Sequence, residues 1–255
     1  MKKVILGAIA AIAFGSNQPV LAADLAPIYK APPPPPSVWF FEARAGAAFG
    51  RFDDLKFLNP VGAATGAVRP DGNFIILDGK NLRDTSFTGG ASIGYYFAHS
   101  IFAKVSYQYL GRFRANGFAD FGVDGNFRQD LTTDVHALLL GIGIDIHLTP
   151  AIFLQPTAEI GAGFLHSTGR QGANLGLPNA FPSADRTNMV GGAGLGLGYH
   201  VTRNFDVLIS GNYYWLGNAD TGTTGNPPPA GMNPGEQLKA HLNVTTLTVG
   251  GRVRF

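Results

Sequence analysis

The chain has 255 residues, among them 35 glycines, 17 prolines and no cysteine; 14% of its residues are charged and 11% are aromatic. Without cysteine an exported chain has no disulfide framework, and 19 Lys+Arg against 17 Asp+Glu give no basic stripe for nucleic acid to read, so no nucleic-acid partner is expected. Low charge with abundant Gly, Tyr and Phe, and no mature apolar run approaching about 18 residues, suits a sheet facing lipid rather than a soluble sandwich or a helical membrane protein.

Residues 1–22 read as a secretory signal peptide. Lys2 and Lys3 form a positive start, Val4 to Phe14 is an apolar run too short to span a bilayer, and Val20-Leu21-Ala22 places small residues at the cleavage point. Removing Lys2 and Lys3 leaves 19 − 2 = 17 basic residues against 17 acidic ones, a mature chain without formal net charge. Residues 23–37 follow as a linker. Its five consecutive prolines, Pro32 to Pro36, favour a polyproline II spacer that offers no backbone donors to a sheet.

Residues 38–255 then alternate period-2 segments with turn-rich stretches. The first strand, Val38 to Gly50, sets Trp39, Phe41, Ala43, Ala45, Ala47 and Phe49 against Phe40, Glu42, Arg44, Gly46 and Ala48. Further strands are expected over Phe87–Phe97, Ile101–Arg114, Leu131–Leu148, Ile152–Leu165, Asn188–His200, Asn204–Leu216 and Leu238–Phe255. In the third, Phe113 falls on the apolar face and Arg112 and Arg114 on the inward one. Pro156 removes a ladder donor and is expected near the short-turn rim. The glycines Gly192, Gly194, Gly196 and Gly198 occupy one face, leaving room for large lumenal side chains from across the barrel; their G-x-G-x-G-x-G spacing is not a nucleotide loop.

Connections alternate in length. Short ones fall at Ala98-His99-Ser100, Thr149-Pro150-Ala151 and Val201-Thr202-Arg203, and long ones at Arg51–Ser86, Ala115–Asp130, His166–Thr187 and Gly217–Gln237, with extra strand expected over Asn73–Asp78. Eight segments with short turns at one end and long loops at the other predict an all-β fold, a closed antiparallel transmembrane barrel of eight strands with its long loops outside. Closure is required because each unpaired amide in hydrocarbon costs several kcal/mol.

Among the charged residues of inward parity, Glu42, Arg44, Lys104, Asp145, Glu159, Asp206, Arg252 and Arg254 form a candidate lumenal network. Two readings stand beside each other, a selectivity lining for a narrow channel and a salt-bridge plug in a lumen just wide enough for side chains. The six histidines, His99, His136, His147, His166, His200 and His241, occur singly, so no metal site is expected, and no cofactor motif is present. A barrel-type lipid hydrolase would place a serine beside a catalytic histidine in a fixed arrangement. Here His99-Ser100 and His166-Ser167 are adjacent and would point to opposite faces, so no enzyme is expected.

The chain ends on Phe255, with Val253, Val249 and Leu247 on the same face. This terminal pattern, with the Asp24-Leu25 and polyproline leader, resembles the small porin-like surface-antigen barrels, akin to opacity proteins and to the OmpA and OmpW transmembrane domains. The first strand departs from the opening Trp-Gly-Tyr-Gly pattern of such barrels, reading Trp39-Phe40-Phe41-Glu42-Ala43. The resemblance implies a bacterial outer-membrane location and a non-enzymatic structural or surface role with passive small-solute permeation, or else an adhesin working through its loops. It also implies that Phe255, Val253, Val249 and Leu247 form a C-terminal signal for the outer-membrane assembly machinery. With those residues outward, Arg252 and Arg254 are expected to point inward, where Glu42 on the adjoining first strand offsets their charge. Outer-membrane lipid and lipopolysaccharide are the remaining expected partners.

Overall fold

The computed structural model describes residues 38–58, 74–120, 126–172, 179–225, 228, 232 and 234–255. The signal peptide and linker readings lie outside them. Among the described residues, eleven strands form one antiparallel sheet: β1 Val38–Leu58, β2 Phe74–Ile76, β3 Asp78–Asn81, β4 Arg83–Tyr96, β5 Ile101–Asp120, β6 Asn126–Ile144, β7 Ile146–His147, β8 Ile152–Gln171, β9 Asn179–His200, β10 Phe205–Asp220 and β11 Gln237–Arg254. Eight of them pair in chain order, and β1 pairs with β11 from Phe40↔Arg254 to Leu58↔Gln237, which closes the ring. At the rim, Trp39 and Phe255 exchange both backbone hydrogen bonds, at 3.1 and 2.9 Å.

The three tight turns are alike. Phe97 and Ala98 donate to the carbonyl of Ile101, Leu148 and Thr149 to that of Ile152, and Val201 and Thr202 to that of Phe205. In each a four-residue bend reverses the chain with two bonds to one acceptor. The outward face above these turns is apolar on every long strand: Trp39 and Phe41, Ile93 and Phe97, Val105 and Tyr107, Leu138, Leu140 and Ile142, Ile160 and Phe164, Leu195, Leu197 and Tyr199, Ile209 and Trp215, and Leu247, Val249 and Val253 are all exposed. Trp39 and Phe49 bound this belt on β1. Ten residue steps apart, they are separated by about 33 Å of strand, or about 25 Å of height at a tilt near 40°, the height of a lipid-facing band.

The strands run well past that belt, and the long-loop boundaries read from the sequence are corrected accordingly. Arg51–Leu58, Arg83–Ser86, Ala115–Asp120, Asn126–Asp130, His166–Gln171, Asn179–Thr187 and Gly217–Asp220 are strand. The physical reason is an inversion of patterning. Within the belt, β11 points Leu247 and Val249 out and Thr246 and Thr248 in. Beyond it, Lys239 and His241 point out while Leu238, Ala240, Leu242 and Val244 are buried. Hydrocarbon outside asks for apolar residues outward; water outside asks for them inward. The upper barrel thereby acquires a core of its own, including Phe52, Leu55, Phe57, Leu110, Phe113, Leu131, Val135 and Leu165.

A bulge on β5 overturns one parity assignment. Tyr109 pairs with His136 but Gly111 pairs with Val135, and Gly111 takes φ +126°, a backbone that side chains disfavour. Phe113 therefore joins Leu110 inside, and Arg112 and Arg114, expected in the lumen, stand outside. Pro156 is accommodated differently. Register on either side (Gly143↔Thr157, Ile146↔Leu154) places it against the break between β6 and β7, where no ladder bond is missed.

Candidate functional site

The lumen below the upper core is built from the inward residues of all eight long strands. Its lowest layer is centred on Arg252, a fully buried residue. The guanidinium stands over the rings of Phe40, Phe102 and Phe153, at 4.7, 5.3 and 6.0 Å from their centroids. Each ring lies across a glycine on a neighbouring strand. A Cβ at Gly94 would come within 2.1 Å of Phe40, one at Gly143 within 2.3 Å of Phe102, and one at Gly198 within 2.1 Å of Phe153. The glycine stripe of β9 thus makes room for side chains from adjacent strands, Phe153 of β8 and Asn212 and Tyr214 of β10, and not from across the barrel.

Arg252 satisfies its donors on two carboxylates and a phenol. Nη2 and Nε lie 2.9 and 3.2 Å from Glu42 Oε2, and Nη1 lies 3.2 Å from Asp145 Oδ2 and 2.7 Å from the Tyr96 hydroxyl. Tyr96 in turn donates to Asp145, and Gln155 Nε2 donates to Asp145 Oδ1 at 2.7 Å. One layer higher, Lys104 Nζ and Arg44 Nη2 converge on Glu159 Oε1 at 2.8 and 3.4 Å. The Tyr214 hydroxyl lies 2.8 Å from Glu159 Oε2 and 3.1 Å from Gln108 Oε1. Arg44 Nε stands 4.0 Å from Glu42 Oε1, which links the two layers.

At the short-turn rim, Arg254 grips Asp206 through Nε at 3.1 Å and Nη2 at 2.6 Å, and His200 Nδ1 is 2.6 Å from the same carboxylate. Arg254 therefore answers Asp206; of the two terminal arginines Arg252 alone meets Glu42, which corrects the expectation that Glu42 offsets both. The His200 ring also stacks on Phe153 at 4.7 Å and lies 5.5 Å from His147.

All eight inward charges are thus in contact with an opposite charge: Arg44, Lys104, Arg252 and Arg254 against Glu42, Asp145, Glu159 and Asp206, four of each sign. In a low-dielectric interior such a set is tolerated only when matched and hydrogen-bonded throughout. Tyr96, Tyr214, Gln108 and Gln155, which complete the matching, were not singled out from sequence. Their signal was inward parity combined with a side chain long enough to reach the neighbouring strand. His166 and Ser167 fall on opposite sides of the wall, His166 exposed against Asp185 and Ser167 buried 3.0 Å from the Thr133 hydroxyl. Leu247, Val249, Val253 and Phe255 all face outward, Phe255 with 68% of its surface exposed.

A closed ring of eight spanning strands, apolar outside and charge-matched inside, defines a small transmembrane β-barrel. The family model described as outer membrane protein beta-barrel domain matches residues 38–255, and the chain belongs to that family of bacterial outer-membrane proteins. Solved structures similar to it include Neisserial surface protein A (15% identity, 84% of this chain and 97% of that one, TM-score 0.39). They also include Ail, the attachment invasion locus protein of Yersinia pestis, in complex with the heparin analogue sucrose octasulfate (16%, 85% and 99%, TM-score 0.37), and OprG from Pseudomonas aeruginosa (15%, 85% and 95%, TM-score 0.46). A comparison with curated protein sequences returns no match.

Proposed function

We propose that this protein is a non-enzymatic, non-conducting barrel that anchors and presents a rigid surface structure outside the outer membrane. The observation carrying this reading is the sealed lumen: Phe40, Phe102, Phe153 and Arg252 at the bottom, and Phe52, Phe57, Phe113, Leu131 and Tyr214 above them, expose no surface. Side chains fill an eight-stranded barrel readily, and here they do so in a matched ionic layer capped by an apolar one. Passive solute permeation would require water to enter both. The separation of His166 from Ser167 across the wall supports the absence of hydrolytic chemistry. Strands of up to 22 residues, where about 9–11 cross a membrane, support a presenting role, since much of each strand is spent outside the bilayer.

Planar-bilayer recording of the purified, refolded protein tests the reading. The expected result is a silent membrane at protein levels that give folded insertion by gel mobility. Discrete, reproducible single-channel steps, altered in size when Lys104 or Arg44 is neutralised, would overturn it and restore the pore.

A further inference from the structure

The β5 bulge that turns Arg112 and Arg114 outward also builds a feature on the outer wall. There β5, β6 and β8 carry a groove of about 460 Å3 whose lining includes Arg112, Arg114, Arg128 and Arg170 against Asp130 and Asp134, a balance of 4 − 2 = +2. Two of the arginines are matched. Arg112 holds Asp134 through Nε at 2.8 Å and Nη2 at 2.9 Å, and Arg128 holds Asp130 at 2.9 Å. Arg114 and Arg170 are exposed, and their guanidinium groups have no carboxylate partner among the described residues. The backbone of Arg114 is fixed instead, its amide donating to Asp84 Oδ2 at 2.8 Å.

Register brings these two together. Thr132 stands opposite Arg114 on one side and Thr168 on the other, and Arg170 lies two residues beyond Thr168. The two guanidinium groups thus spring from strands about 10 Å apart, close enough to converge on one phosphoryl group. The groove opens sideways, at the height where the wall changes from apolar to polar. Directly below it on the same strands stand Tyr109, His136 and Phe164, with Leu138, Leu140 and Ile160 beneath. An occupant can place an anion between the arginines and lay apolar chains along the wall. A free anion would leave that second surface unused.

We propose that this groove binds a phosphate of lipopolysaccharide in the outer leaflet, with Arg114 and Arg170 as its ligands and the acyl chains on the Leu138–Leu140–Ile160 face. The assignment rests on the reading that the long connections lie outside the cell. Arginine suits the task because its planar fork grips phosphate oxygens in pairs.

The test uses the full mature protein folded in detergent micelles and its Arg114→Gln/Arg170→Gln variant, which leaves both matched pairs intact. Bisphosphorylated lipid A is titrated into each. Loss of even one charge-assisted contact weakens binding roughly tenfold, so the variant is expected to bind at least that much more weakly. Dephosphorylated lipid A is expected to bind both proteins equally and poorly, and millimolar inorganic phosphate is expected not to displace the lipid. Equal affinity of the two proteins for bisphosphorylated lipid A would overturn the proposal, as would complete displacement by inorganic phosphate. Orientation is tested separately, because the chain has no cysteine of its own. A Gly225→Cys variant should react with an impermeant maleimide on intact cells. Labelling only after the outer membrane is opened would overturn the lipopolysaccharide assignment, whatever the groove binds in micelles.

Discussion

Replacing Arg252 by Met tests whether the lumen is held as a matched set. The substitution keeps an apolar stem among Phe40, Phe102 and Phe153 but removes the charge. Glu42, Asp145 and Glu159 then face only Arg44 and Lys104, three carboxylates against two cations. Removing one partner from a buried ionic network costs about 3–5 kcal/mol, mostly from the charge left unanswered. Adding Glu42→Gln restores two against two, so the double variant should regain about half of that loss or more. The measurement is urea unfolding of protein folded in lipid vesicles, read from the mobility difference between unboiled and boiled samples. A loss below about 1 kcal/mol for Arg252→Met, the scale of a surface pair, would refute the reasoning. So would a double variant no more stable than the single one, since imbalance would then not be what destabilises.

Other expectations use the same unfolding assay or a simple variant of it. Gly198→Ala should lose about 1–3 kcal/mol through overpacking against Phe153, whereas Gly191→Ala, whose new Cβ would meet Trp215 at an ordinary 3.8 Å, should match the parent; equal effects would refute the slot. Gly111→Val should destabilise by more than about 1 kcal/mol, because φ +126° is strained for it and Ser86 stands 2.8 Å from its Cβ. Pro156→Ala should stay within about 0.5 kcal/mol of the parent, since its missing donor faces the β6–β7 break. Phe255→Ala, which keeps the backbone bonds to Trp39, should slow insertion measured by pulse-chase while leaving unfolding nearly unchanged. Normal insertion with lowered stability would reduce Phe255 to a rim anchor.

Within the lipid belt the sequence was legible because one period ran uninterrupted. From Phe41 to Phe49, and again from Leu247 to Val249, apolar residues alternate with small or polar ones, and parity alone assigns each side chain to lipid or lumen. Legibility failed where a rule changed midway along a strand. Beyond Phe49 the apolar residues move to the inside, so Phe52, Leu55 and Phe57 read as a loop when an apolar exterior is sought. At Gly111 a single extra residue reverses parity, which no count along β5 detects without its partner β6. Ion-pair partners are a third kind of failure: that Arg254 meets Asp206 while Arg252 meets Glu42 depends on register between strands far apart in sequence.

The inversion of patterning along each strand also fixes how deep the barrel sits. Moving the protein inward by two residues would carry Arg51, Arg114 and Arg170 toward hydrocarbon, where each basic side chain costs up to about 2–4 kcal/mol at the midplane. Moving it outward would bare Phe49, Phe87 and Phe164 to water. The wall therefore has a preferred height with a steep penalty on either side. Whatever the upper strands display is held at a set distance from the membrane surface by the same residues that keep it folded.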